Sequence, residues 1–142
     1  MAEVAPQYQE LELADVEREG RRLWSDLPPG AVVWLSGELG VGKTALVQAV
    51  ARAAHATPAR SPTFALVHEY ASEEGPLAHV DCYRLRHPDE ARDLDLANLA
   101  RRSRLTLIEW PERAGSYAPR ADRHLRLSHA CRPDRRVLET LA

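Results

Sequence analysis

The segment Gly37-Glu38-Leu39-Gly40-Val41-Gly42-Lys43-Thr44 restricts the fold of this chain more than any other stretch. It fits G-x-x-x-x-G-K-[ST] at all specified positions, a spacing that wraps backbone around an anion. Glycine permits positive φ and close backbone approach, while successive N–H groups and the positive end of the following helix point at phosphates. Such a loop requires a strand before it and a helix after it. Both are readable. Ala31-Val32-Val33-Trp34-Leu35 suits a strand buried on both faces, and Lys43 to Ala54, rich in Ala, Leu, Val and Gln without Gly or Pro, predicts a helix.

Of the 19 basic residues, Lys43 alone is lysine. In a chain whose cation is otherwise arginine, that position calls for a compact ammonium on a flexible stem, which a planar guanidinium cannot imitate. The motif assigns Lys43 to the β- and γ-phosphates and the Thr44 hydroxyl to Mg²⁺. No N-K-x-D element is present to read guanine, which favours ATP over GTP.

The remaining pattern supplies a sheet and its cover. Gln7 to Leu13 alternates as an edge strand, and Ala14 to Leu27 carries Val16, Leu23, Trp24 and Leu27 at helical spacing, with Asp15 suited to the helix start. Pro28-Pro29-Gly30 breaks the chain. Ala65 to Tyr70 and Ala78 to Tyr83 are expected to pair as a hairpin across Ser72-Glu73-Glu74-Gly75-Pro76. A helix is expected from Pro88 to about Arg102, then strands at Leu105 to Ile108, His124 to Ser128 and Val137 to Leu141. The expected fold is a single α/β domain over residues 1–142, three-layered and P-loop NTPase-like, with a mixed sheet.

A formal net charge of -2 and a pI near 6.3 argue against a nucleic-acid-binding face, so any contact with RNA is expected to be indirect. No run approaches the roughly 20 apolar residues that span a bilayer, and no secretory leader is evident at the N-terminus. A cytoplasmic location is expected. Cys82 and Cys131 form neither a disulfide framework nor a C-x-x-C pair and are read as reduced thiols.

Phosphoryl chemistry also needs carboxylates near the metal. Asp81, in His79-Val80-Asp81-Cys82-Tyr83-Arg84, and Glu109, in Leu107-Ile108-Glu109-Trp110-Pro111, stand late in their strands, where α/β sheets bind ligands. Each resembles a Walker-B acid; the alternative is a strand-end cap or salt bridge. Ser61-Pro62-Thr63-Phe64 either forms a switch-like loop with Thr63 at the γ-phosphate or is a Pro turn with Phe64 in the core. Trp110 either shields the site or packs in the core. His68, His79, His124 and His129 have no zinc spacing and read as ordinary strand or surface residues. Arg101-Arg102-Ser103-Arg104 either docks a partner or is a solvated helix end.

Taken in order, Gly37 to Thr44, Ser61-Pro62-Thr63-Phe64, Asp81-Cys82-Tyr83-Arg84-Leu85 and Ile108-Glu109-Trp110-Pro111 resemble the bacterial TsaE (YjeE) family over roughly Tyr8 to Ser128. That resemblance implies a magnesium-dependent ATPase, slow alone and stimulated by partners, that supports threonylcarbamoyladenosine formation in tRNA. It implies binding to TsaB and TsaD and resetting of their complex through ATP hydrolysis. Carried onto this chain, it places phosphate binding at Glu38, Leu39, Gly40, Val41, Gly42, Lys43 and Thr44. Magnesium falls to Thr44 and Glu109, with Asp81 in the metal shell or the catalysis and Thr63 in the switch. Arg84 either adds charge at the site or braces the Asp81 loop. Ala91-Arg92-Asp93-Leu94-Asp95-Leu96 departs from the family pattern of a Glu-Leu pair and a later Gly, which leaves the local helix geometry open. Two other functions share the loop: a nucleotide-gated binding module in which hydrolysis is incidental, and a small-molecule kinase.

Overall fold

A computed structural model describes residues 8–59 and 66–141. Its strands are β1 (Tyr8–Leu11), β2 (Ala31–Ser36), β3 (Thr57–Pro58), β4 (Val67–Ala71), β5 (Leu77–Asp81), β6 (Leu105–Glu109), β7 (Arg123–His129) and β8 (Arg136–Thr140). They form one sheet in the order β1-β8-β7-β2-β6-β5-β4-β3. The centre is parallel: β2 lies between β6 and β7, and β5 runs parallel to β6. Both flanks are antiparallel, through β4 on one side and β8 and β1 on the other. The mixed sheet, the β4–β5 hairpin and the edge position of β1 match the sequence expectation.

Helices α1 (Leu13–Asp26) and α2 (Lys43–Ala53) cover one face. α1 begins at a capping box in which the Glu12 N–H donates to Asp15 Oδ2 at 2.9 Å, satisfying a donor that the first turn leaves free. Its apolar stripe of Leu23 and Trp24 packs with Leu46, Val47 and Val50 of α2 over Val33, Leu35 and Leu107. The two helices touch at Gly20, where a Cβ would stand 2.6 Å from the Ala49 carbonyl carbon.

The opposite face is covered by α3 (Leu96–Arg102) and by 3-10 turns at Pro88–Leu94 and Pro111–Tyr117. Leu96, Leu99 and Ala114 pack there on Val32, Val80 and Ile108. The architecture is thus three layers.

The single helix expected from Pro88 to Arg102 is instead two elements, broken at Asp95, which has φ 46 and ψ 59. Aspartate tolerates this left-handed geometry better than most residues, and its side chain accepts from the Asn98 N–H at 3.4 Å, so it ends one element and caps the next. The break falls within Ala91 to Leu96, the stretch whose geometry the sequence left open. No helix among the described residues is long and apolar enough to cross a membrane.

Candidate functional site

β2 ends at Ser36 and α2 starts at Lys43, so the glycine loop joins them at the C-terminal edge of the sheet. Three of its glycines have positive φ: 142° at Gly37, 77° at Gly40 and 117° at Gly42. At Gly37 a side chain is also excluded by space, since a Cβ would lie 2.4 Å from the Leu127 carbonyl oxygen of β7. At Gly40 and Gly42 nothing lies within 4 Å of that position, so the loop is open on that side. Gly42 caps α2 without a side chain to satisfy the first-turn N–H groups, which leaves them for an anion. From the far end of the chain, the Arg136 guanidinium donates to the Val41 carbonyl at 2.8 Å and braces the loop.

Lys43 is only 4% exposed. Its Nζ donates to the Gly37 carbonyl and stands 4.3 Å from the centre of the Trp110 ring. Burial pulls the ammonium's pKa down, and Glu109, Asp81 and Glu112 oppose that pull in this order. A buried cation held by one carbonyl and an aromatic face, with acids around it, is suited to an incoming polyanion.

The acids come from neighbouring strands. Asp81 on β5 lies beside Glu109 on β6 in a parallel register. Alternation sends Leu77, His79 and Asp81 of β5 to the same face as Leu105, Leu107 and Glu109 of β6, the face covered by α1 and α2. Glu109 is 3% exposed and its Oε2 pairs with His79 Nε2 at 2.6 Å. Asp81 is half-buried and accepts from the Tyr83 N–H at 3.0 Å, which turns the chain out of β5.

Trp110 follows Glu109 with φ 54 and ψ 50, a left-handed conformation that costs a bulky residue about 1–3 kcal/mol. Pro111 then opens the 3-10 turn. The ring is set between Lys43 and Arg113, whose guanidinium also lies 4.9 Å from Tyr83 and donates to the Tyr83 carbonyl at 2.7 Å. The Trp110 ring packs against the cluster of Val32, Val80 and Ile108 as well as on Lys43.

A cavity of about 310 Å³ adjoins the loop, lined by Leu11, Leu13 and Val16 on one side and Val41, Gly42 and Ala45 on the other. A second, of about 430 Å³, is lined by Leu39, Leu66, Asp81, Tyr83 and Arg84. Arg84 thus borders the same space as Asp81. In the arginine cluster, Arg102 pairs with Glu69 at 2.8 Å and Arg104 donates to the Trp24 carbonyl at 3.2 Å, while Arg101 is exposed. Thr63, with the whole Ser61-Pro62-Thr63-Phe64 segment, lies outside the described residues.

His79 and His124 lie in strands β5 and β7, as the sequence suggests, and each also has a polar partner beside the loop. His79 is buried against Glu109. His124 bonds Ser36, the residue before the loop, at 2.7 Å. Burial lowers the His124 pKa, with Glu112 raising it and Arg126 adding to the decrease. The signal for His79 was its position two residues before Asp81, which puts both side chains on one face of a strand.

This arrangement, strand into glycine loop into helix on a parallel-centred sheet, defines a P-loop NTPase-like fold. Comparison with known proteins agrees. The structure matches a solved crystal structure of Bacillus subtilis YdiB with a TM-score of 0.68, covering 96% of this chain and 88% of that one at 21% identity, a likeness of fold. The family model for threonylcarbamoyl adenosine biosynthesis protein TsaE matches residues 11–137. Proteins named tRNA threonylcarbamoyladenosine biosynthesis protein TsaE are similar in sequence. The one from Synechocystis is 36% identical over 113 residues, spanning 72% of this chain and 68% of its own length. The one from Nostoc is 40% identical over 109 residues, spanning 71% and 67%. The one from Haemophilus influenzae is 35% identical over 92 residues, spanning 64% and 58%. The chain belongs to the TsaE family of tRNA threonylcarbamoyladenosine biosynthesis.

Proposed function

We propose that this protein is a magnesium-dependent ATP hydrolase of the cytoplasm. It binds a TsaB–TsaD-type complex and resets it between rounds of threonylcarbamoyladenosine modification, meeting tRNA only indirectly. The observation that carries the hydrolase is Lys43, buried at the mouth of the glycine loop with Glu109 and Asp81 beside it. Partners and pathway role rest on family membership.

The residues fit a nucleoside triphosphate with its metal. The N–H groups from Glu38 to Thr44 and the Lys43 ammonium would take the phosphates, and Lys43 would leave its Gly37 contact to do so. The apolar cavity at Leu11, Leu13, Val16 and Ala45 adjoins the loop and would offer an apolar wall to the base. Mg²⁺ is commonly held by one or two carboxylates together with water and substrate phosphates. Thr44, Glu109 and Asp81 would supply the protein side. Bound there, magnesium would neutralise charge on the β- and γ-phosphates. Thr63 is the proposed γ-phosphate contact.

The test is ATP hydrolysis with and without magnesium, by the protein alone and with TsaB and TsaD homologues, using Lys43→Ala as the blank. The expected outcome is slow magnesium-dependent turnover that rises with the partners and vanishes in the blank. Binding of ATP with no hydrolysis in either condition would sink the hydrolase reading and leave a nucleotide-gated binding module.

A further inference from the structure

Resting on the assignment of Glu109 to the metal–nucleotide site, we infer that His79 is a positioning residue that sets the orientation of the Glu109 carboxylate. A glutamate has three side-chain torsions, and backbone placement at the end of β6 does not fix where its oxygens point. Lys43 does not fix them either. Its ammonium donates to the Gly37 carbonyl, and among the described residues the hydrogen-bond partner of the Glu109 carboxylate is His79.

The contact has the marks of a built one. The His79 and Glu109 side chains are 10% and 4% exposed, and Nε2 lies 2.6 Å from Oε2. A carboxylate oxygen accepts, so the ring nitrogen donates. The two residues sit on hydrogen-bonded strands of fixed register, and this holds the donor still relative to the acceptor. The ring is itself restrained: His68, directly opposite on β4, stacks on it with centroids 5.7 Å apart and planes at 23°. One carboxylate oxygen is thereby tied down, and the other is presented in a single direction. A residue that orients a ligand from outside commonly matters nearly as much as the ligand.

A purely structural bond, present only to satisfy a buried carboxylate, makes different predictions. The comparison uses the full chain as wild type, His79→Leu, His79→Gln, Glu109→Gln and the His79→Leu/Glu109→Gln double variant. The readouts are kcat and KM for ATP, thermal melting, and the magnesium needed for half-maximal binding of a fluorescent ATP analogue. His79→Leu should lower kcat or raise the magnesium requirement about 10- to 100-fold while analogue binding without magnesium is unchanged. His79→Gln keeps an N–H of similar reach and should recover most of the loss. On the Glu109→Gln background, His79→Leu should cost nothing further. If the leucine variant does not fold, His79→Asn, whose amide is too short to reach, takes its place with the same expectation.

A folded His79→Leu with wild-type kcat and magnesium requirement, beside an impaired Glu109→Gln, would overturn the inference alone. So would His79→Gln falling as far as His79→Leu, or a full additional loss in the double variant. A Glu109→Gln protein as active as wild type would instead overturn the assignment of Glu109, and the inference with it.

Discussion

On one face of the sheet two regular helices meet so closely that Gly20 has no room for a side chain; the other is covered by a seven-residue helix and two 3-10 turns. The regular layer carries the start of α2, with Lys43 and Thr44. Its packing holds the glycine loop against β7, where Gly37 abuts Leu127. The irregular layer contributes Trp110, Glu112 and Arg113 from a turn that folds back over the same edge of the sheet. The contrast separates two tasks. A loop proposed to cradle phosphates is best held still, and this one is anchored in dense apolar packing. Trp110 and Glu112, which join the strand acids Glu109 and Asp81 around its cation, sit on a short turn, whose backbone can adopt left-handed geometry such as that of Trp110.

Substitutions in either layer test this division. The largest effect is expected at Lys43: Lys43→Ala should cut magnesium-dependent hydrolysis roughly 10²- to 10³-fold, as removal of a charge-stabilising group does elsewhere. Steady-state kinetics beside a far-UV spectrum of the folded variant checks it. In the regular layer, Leu46→Ala empties a fully buried site of α2 and should cost about 2–5 kcal/mol in urea unfolding. Gly20→Ala forces α1 off α2 and should cost about 1–3 kcal/mol by the same measurement. Arg113→Ala in the irregular layer removes the bond to the Tyr83 carbonyl and the contact with Trp110. Its stability loss should be about 1 kcal/mol or less, with a larger relative loss of hydrolysis. An Arg113→Ala variant that unfolds as readily as Leu46→Ala would erase the distinction.

The smallest effect concerns the thiols. Burial pushes the Cys82 pKa up to about 12, with Asp81, Glu112 and Glu109 adding to it, whereas Cys131 is exposed. Native protein at pH 8 should therefore react with a thiol reagent at Cys131 alone, and Cys82 should follow only on unfolding. Because the folded pKa is raised, the protonated Cys82 stabilises the fold below the ordinary thiol range. That contribution is lost as pH climbs from about 9 towards 12.

Legibility followed the same division. The strand, loop and helix around Gly37 to Thr44 could be read because each obeys a local rule: an apolar run, left-handed glycines and strong helix formers. Asp81 and Glu109 were found as acids at strand ends, and the register brings them side by side. The irregular layer was read poorly. Nothing in helical spacing between Pro88 and Arg102 announces that Asp95 turns left-handed, since the turn is chosen by packing on Val32, Val80 and Ile108. The pairing of His79 with Glu109 spans two strands separated by a crossover, and a single sequence carries no signal for a partner that distant beyond the shared face with Asp81. The brace from Arg136 to Val41 was missed for the same reason.

Hydrolysis, rather than ATP binding alone, is proposed to complete each round of modification. Its most direct test is to count threonylcarbamoyladenosine formed on tRNA per TsaB–TsaD complex, with wild-type protein or with Glu109→Gln, at saturating ATP and magnesium. Many products per complex are expected with wild type and about one with the variant, which should still bind ATP and its partners. Undiminished cycling with a variant shown to be unable to hydrolyse ATP would contradict it.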